Sequence, residues 1–152
     1  SIRPHCDQYK KDAFSPKKIS DTLEYLLADY TMSRFAKAMG KTEDAEYFEK
    51  RAKRYSENFK PLLRFMAPRK ENGRFMFIYG KYDDNCCVES NIFQQSWFVP
   101  YDVPGLFNLF GIERAHVLLE RFFEKGKNFS FVFKGCIYSN EFFRVCKFEI
   151  LF

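Results

Sequence analysis

The chain has 152 residues, 46% of them hydrophobic, which suffices for one domain with a buried core. Its net charge of +5 is modest, and Lys and Arg are scattered among acids along helical faces; a nucleic-acid partner is disfavoured, because phosphate binding needs cations gathered on one face. No stretch reaches the roughly 18 apolar residues of a membrane span, and the opening SIRPHCDQYKKD lacks the apolar core of a signal peptide, so the expectation is a chain that is cytosolic or starts in mid-protein.

The first element is a helix over Ser20–Met39, where Leu23, Leu26, Leu27, Tyr30, Phe35, Ala36 and Met39 recur at three-four spacing. Asp21 and Glu24 read as a capping box, and Gly40 as the stop. Thr42 reads as the cap of a second helix with Glu43, Asp44 and Glu46 in its first turn and a stripe of Ala45, Phe48, Ala52, Tyr55 and Phe59 before Pro61. A connection as short as Gly40-Lys41 makes the two an antiparallel hairpin. Periodicity then lapses from Leu62 to Val88, where Asn72-Gly73, Gly80 and Asp83-Asp84-Asn85 carry turn chemistry; this is a long loop with room for a short β-hairpin, the kind of segment that commonly serves a function.

A third helix is expected over Asn91–Phe98, ending ahead of Pro100. Asp102 caps a fourth segment that runs to Phe110, with Pro104 in its first turn. Gly111 breaks it, and Ile112, Ala115, Leu118, Leu119, Phe122 and Phe123 stripe a last helix that stops near Gly126. Beyond Phe129 the alternation in FSFVF and FRVCKFEILF is strand-like, and Phe, 20 residues in all, is dense there. The five cysteines (Cys6, Cys86, Cys87, Cys136, Cys146) are odd in number and lack C-x-x-C spacing, so neither a zinc site nor a disulfide framework is signalled, and an adjacent pair is seldom bridged to itself.

The chemistry concentrates in the third helix. Asn91, Gln94 and Gln95 share one side, with Ile92, Phe93, Trp97 and Val99 mostly round the other. Amides both donate and accept, which suits sugar hydroxyls, and a nearby aromatic can cover the apolar face of a pyranose ring. Glu89, at the entrance to this helix, is either a cap favoured by the helix dipole or a carboxylic acid placed to protonate a glycosidic oxygen. Trp97 reads as core rather than as a sugar platform.

Three runs, TLEYLLADY (22–30), APR (67–69) and above all ESNIFQQSWFVPYDVPGL (89–106), resemble in order and spacing the catalytic domain of glycoside hydrolase family 92, calcium-dependent exo-acting α-mannosidases, over roughly Ile19–Lys125. The resemblance implies an all-α fold, part of an (α/α)6 toroid, and hydrolysis of terminal α-mannosidic linkages with inversion. It places Glu89 at the general-acid position and Asn91 and Gln94 beside it, in support of the acid or in contact with mannose. Asp29, Glu24 and Arg69 match further polar positions of the family and stand as substrate-binding candidates, with ion pairing as the alternative for Glu24 and Arg69. A mannose-containing glycan is the implied partner, together with the rest of the catalytic domain and an N-terminal β-sandwich domain, and secretion or a periplasmic location is implied as well.

Departures from the family pattern set the remaining expectations. Ser90 stands where the family has Gly, and Tyr101 where it has His before Asp102. The family's N-E-P-x-x-H and G-N-D/E-D stretches, which supply Ca2+ ligands and the general base, do not follow. The expected organisation is therefore residues 1–126 as a partial catalytic domain and 127–152 as an aromatic-rich tail, with no metal ligands in the chain and no activity from it alone. The alternative function is a small helical interaction module without catalysis, for which the Ala45 and Ala52 small positions beside Gly40 speak; the hairpin pattern occurs once, which speaks against it.

Overall fold

The computed structural model describes residues 5–128 and, beyond them, two short strands at 131–133 and 136–138. It divides into two compact units, Ser1–Leu109 and Phe110–Phe152. The first holds α1 (Cys6–Asp12), α2 (Ile19–Ala38), α3 (Thr42–Ala52) continued by a 3-10 helix (Lys53–Asn58), strands β1 (Phe59–Lys60) and β2 (Phe65–Met66), and the short α4 (Ile92–Gln95); α5 (Val103–Phe110) closes it. The second holds α6 (Ile112–Asn128), β3 (Phe131–Phe133) and β4 (Cys136–Tyr138).

The helix α2 is built on Ile19, Leu23 and Leu26, all essentially inaccessible. It starts at Ile19, ahead of Asp21, so the expected Asp21–Glu24 capping box does not form. Its first amide is met instead from far along the chain: Ile19 N–H donates to the Cys86 carbonyl at 2.9 Å, and Asp21 is left in the first turn, where the dipole still favours an anion. Thr22 pins the approach, its hydroxyl donating to Lys18 O and accepting from Ser15 N–H, both at 2.9 Å. At the other end Lys41 N–H returns to Ala36 O and Gly40 N–H to Lys37 O, with Gly40 at φ 72°. This paired closure needs a left-handed residue, which glycine supplies without strain. Thr42 then proves to be the first residue of α3 rather than its cap, with Glu43 and Asp44 in the first turn as expected.

What holds α3 against α2 is an ion pair. Arg51 donates from Nε to Asp29 Oδ2 and from Nη2 to Asp29 Oδ1, each at 2.6 Å, with side-chain exposures of 12% and 7%. The Tyr9 hydroxyl of α1 donates to the same Asp29 Oδ2, and the guanidinium lies 5.2 Å from the Tyr9 ring centre, 5.0 Å from that of Tyr47 and 5.4 Å from that of Phe48. Three helices meet on one carboxylate.

Downstream, β1 and β2 pair antiparallel with Phe59 opposite Met66 and Lys60 opposite Phe65, so the short hairpin straddles Pro61 and begins earlier than the aperiodic stretch does. The 3-10 helix carries Tyr55 to Asp102: the phenol donates to Asp102 Oδ2 at 2.7 Å while Oδ1 accepts from Gly105 N–H at 3.0 Å. Asp102 therefore caps α5, as its sequence position predicts. A Cβ on Gly105 would lie 2.3 Å from both Asp102 Oδ2 and Tyr55 Oη, so the glycine is required by space. Tyr101 occupies the place of the family histidine as a strut: its hydroxyl donates to Ala52 O at 3.0 Å and its ring stacks on Tyr30 at 4.9 Å. Trp97 and Phe93 are buried, as a core role requires.

The helix expected over Asn91–Phe98 shrinks to α4, four residues long. The Ser96 hydroxyl folds back on Ile92 O at 2.6 Å and accepts Met66 N–H from β2, which turns the chain before another helical turn can add. In the second unit, Gly111 at φ 83° precedes α6 as expected, Ala115 and Leu118 are buried, and Phe122 meets Phe123 edge-on at 5.4 Å. The helix runs two residues past Gly126. Then β3 and β4 pair antiparallel, Phe131 with Tyr138, which realises part of the strand-like alternation; FRVCKFEILF lies outside the described residues.

Replacing Asp29 by Ala strands the Arg51 guanidinium. Breaking a buried pair in this way costs about 3–5 kcal/mol, and the open cleft beside Arg51 lets water in and places the expected loss near the lower end. Asp29→Leu with Arg51→Met is expected to recover most of it. Urea titrations of the three chains measure the difference, and a double variant no better than Asp29→Ala would contradict the pair's role.

Alkali is the second probe. Burial raises the pKa of Tyr9, Tyr55 and Tyr101, with the Asp29 carboxylate adding for Tyr9, Asp102 for Tyr55, and Tyr55 and Asp102 for Tyr101. Their folded values lie above the unfolded one, so this stabilisation is complete below the unfolded tyrosine pKa of about 10 and declines as pH rises past it. Stability followed by circular dichroism is expected to fall from about pH 10 upward, and Tyr9→Phe is expected to flatten that decline.

Candidate active site

Glu89 sits on a loop tied down at several points. Asp83 organises its first half, accepting from Tyr79 N–H and Asn85 N–H at 3.0 Å and from Asn85 Nδ2 at 2.9 Å. Partial burial works to raise the Asp83 pKa, yet these three hydrogen bonds to the ionised carboxylate outweigh it and hold the pKa below its usual value. Its second half is fastened by Ile92 N–H to Asp83 O at 3.1 Å and Phe93 N–H to Lys81 O at 2.7 Å. Lys18 Nζ, just before α2, donates to Asn85 O at 3.1 Å, beside the bond from Ile19 to Cys86.

On this frame Glu89 adopts φ 53°, the left-handed region that non-glycine residues enter at a cost of about 1–3 kcal/mol. Its side chain is exposed, and among the described residues nothing hydrogen-bonds or ion-pairs with its carboxylate. It caps no helix: the cap of α4 is Asn91. The backbone strain falls on Glu89, and Ser90, where the family has glycine, has ordinary φ and uses its hydroxyl to donate to Gln95 Oε1 at 2.8 Å.

The amides that looked free for sugar hydroxyls are largely occupied. Asn91 Oδ1 accepts Gln94 N–H at 3.0 Å and Gln94 Oε1 accepts Asn91 N–H at 3.2 Å, a reciprocal capping box. Asn91 is buried and Gln94 half-buried. Their carbonyl oxygens fix the chain just after Glu89; what they offer a ligand is their NH2 groups.

The other candidates lie in different surroundings. Asp29 and Glu24, both on α2, line one open cleft of about 650 Å3 walled also by Tyr25, Leu27, Met32 and Phe48. Both Asp29 oxygens are already engaged by Arg51 and Tyr9. Partial burial and the Asp21 carboxylate raise the pKa of Glu24, although the residue as a whole is exposed. Arg69 is half-buried and serves the loop after β2: Nη2 donates to Glu57 O, Nη1 to Gly73 O at 3.4 Å, and the guanidinium covers the Phe75 ring at 4.8 Å. Its Nε is buried with no hydrogen-bond partner among the described residues. Among the described residues neither Arg69 nor Glu24 forms an ion pair. The loop thus gathers Glu89, Asn91 and Gln94; the cleft gathers Asp29 and Glu24; Arg69 belongs to neither set. Among the described residues no three His, Cys, Asp or Glu side chains converge as metal ligands. No described helix is long and apolar enough to cross a membrane.

The solved family GH92 α-mannosidase BT3965 of Bacteroides thetaiotaomicron superposes with a TM-score of 0.76 at 29% identity over 81% of this chain and 17% of its own. The same enzyme in complex with mannoimidazole gives 0.70 at 28% identity, over 78% of this chain and 17% of its own. The family GH92 inverting mannosidase BT2199 of the same organism, strain VPI-5482, gives 0.71 at 26% identity over 75% and 16%. This chain thus spans about a sixth of the length of the solved structures it matches. No curated protein matches it closely enough to count as a relative. The family model described as the glycosyl hydrolase family 92 catalytic domain matches residues 2–143. Fold, motif and family model agree, and the chain belongs to glycosyl hydrolase family 92, as a part of its catalytic domain.

Proposed function

We propose that this chain is a segment of an inverting, Ca2+-dependent α-mannosidase acting on terminal α-mannosidic linkages of glycans, and that Glu89 is its general acid. The observation that carries the proposal is the unengaged Glu89 carboxylate on a strained residue of an otherwise tightly anchored loop. A carboxylate with no task in the fold, held at a backbone cost, is the kind of group a site reserves for its substrate. The relatives add the substrate class, since they are mannosidases, one of them inverting and one complexed with mannoimidazole.

In this mechanism Glu89 gives its proton to the glycosidic oxygen as the bond to the anomeric carbon breaks. A second carboxylate, about 6.5–9.5 Å away, activates water on the opposite face of the ring. That base, like the Ca2+ ligands, belongs to the remainder of the domain. Asn91 and Gln94 keep the acid loop in register through their capping box and present NH2 donors toward the sugar. The outward stripe of Met32, Phe35 and Met39 on α2, 44%, 58% and 55% exposed, is where the remaining helices of an (α/α)6 toroid would pack. Without base and metal the chain alone is inactive.

The test is Glu89→Gln in a chain completed with the rest of the catalytic domain. The amide keeps shape and hydrogen bonding but cannot give up a proton to the leaving group. Hydrolysis of an unactivated mannoside is expected to fall about 10²–10⁴-fold, while an activated aryl mannoside, whose leaving group needs little protonation, falls far less and mannose binding stays the same. Equal losses for both leaving groups, or none, would remove Glu89 from the acid's role.

A further inference from the structure

We propose that Cys86 and Cys87, in the loop that carries Glu89, are a redox-active dithiol that closes to a vicinal disulfide by exchange with a low-molecular-weight disulfide and, in closing, releases the start of α2. The two sulfurs stand 3.8 Å apart, free and buried. Both ends of the peptide unit between them are in use. Its carbonyl, Cys86 O, accepts Ile19 N–H at 2.9 Å, and its amide, Cys87 N–H, donates to Asp84 O at 3.0 Å.

That peptide is trans, which sets the two Cα atoms about 3.8 Å apart, closer than the roughly 4.4–6.8 Å that disulfides prefer. Bringing the sulfurs to about 2.05 Å makes a small ring that includes the peptide bond, and the ring closes only if that unit turns or distorts. Either change withdraws the Cys86 carbonyl from Ile19. A disulfide under such strain is easily reduced again, which marks it as a reversible site rather than a permanent staple. The site stands whether or not Glu89 is an acid.

The chemistry balances with the external disulfide as oxidant. The Cys86 thiolate attacks one sulfur of that disulfide, forms a mixed disulfide and expels one thiolate; Cys87 then attacks Cys86 Sγ, closes the ring and expels the second. Two protein thiols lose their hydrogens, and the oxidant becomes two thiols. Cys86 is suited to the first step, because the hydrogen bond with Cys87 and the Lys18 ammonium favour its thiolate, the first more strongly, against the opposing effects of burial and Asp83; Cys87 is held above its ordinary pKa by the same bond and by burial.

The experiment uses the native chain and glutathione disulfide. After incubation, the chain is unfolded in an alkylating reagent and digested with trypsin. Residues 82–114 form one tryptic peptide, with Cys86 and Cys87 as its only cysteines. The expected result is that this peptide has lost two hydrogens and taken up no label, that reduction restores both thiols, and that hydrogen exchange at the Ile19 amide quickens in the oxidised chain. In Cys87→Ser, a stable glutathione adduct on Cys86 is expected, since the second step is blocked. Two labels on the peptide after oxidation, or a cross-link to a peptide bearing Cys6, Cys136 or Cys146, would overturn the site. A closed disulfide with Ile19 still protected would overturn its coupling to α2.

Discussion

The salt bridge between Asp29 and Arg51 is the constraint from which the first unit is built. Taking both ions out of water is expensive, and the cost is met by two short parallel hydrogen bonds, a third from Tyr9, and three aromatic rings around the guanidinium. Apolar packing alone would allow α3 to slide along α2, whereas a forked pair allows one register. With that register set, the end of α3 brings Ala52 O to Tyr101, the 3-10 helix after it delivers Tyr55 to Asp102, and α5 begins where it does. The loop of the candidate acid rests on the start of α2, through Ile19 and Lys18.

Sequence pattern disclosed what is local and left out what is remote. Helices α2 and α3, the glycine stops at Gly40 and Gly111, and the Asp102 cap all depend on neighbours within about one or two turns, and each is found. The start of α2 falls outside such rules, because the partner of its first amide is Cys86 O, which no local rule could name. Arg51 and Tyr9 carry no local signal for the same reason: an arginine at the end of a highly charged helix looks like any solvated charge until its carboxylate is known. A partial signal was present, since Asp29 stands on the helical face of Leu26 and Ala36 and a buried acid requires a partner.

The loop of the candidate acid is legible as a motif more than as a form. Its motif pointed to Glu89, but the amides that made the stretch look like a sugar-binding face turn out to build the turn itself, and the helix stops at Gln95 because Ser96 bonds backward. Ser90 replaces the family's glycine, a residue that enters left-handed backbone without the cost others bear. The cost is borne one residue earlier, at Glu89, where a left-handed backbone throws the side chain outward. Polar residues in a short motif thus divide between scaffold and chemistry, and composition does not say which does which.

The bond from Ile19 to Cys86 also bears on the order in which the protein forms during synthesis. The start of α2 receives its hydrogen-bond partner from a loop whose residues emerge much later; Lys18 and Asn85, the adjoining pair, are 67 positions apart. On the ribosome, where chains lengthen by about 5–20 residues per second, the first turn of α2 waits several seconds with its leading amide open to water. The helix can form from its middle, around Leu23 and Leu26, but its beginning is completed only once the segment bearing Glu89 has left the exit tunnel. Translation therefore completes the start of α2 and positions Glu89 in one event.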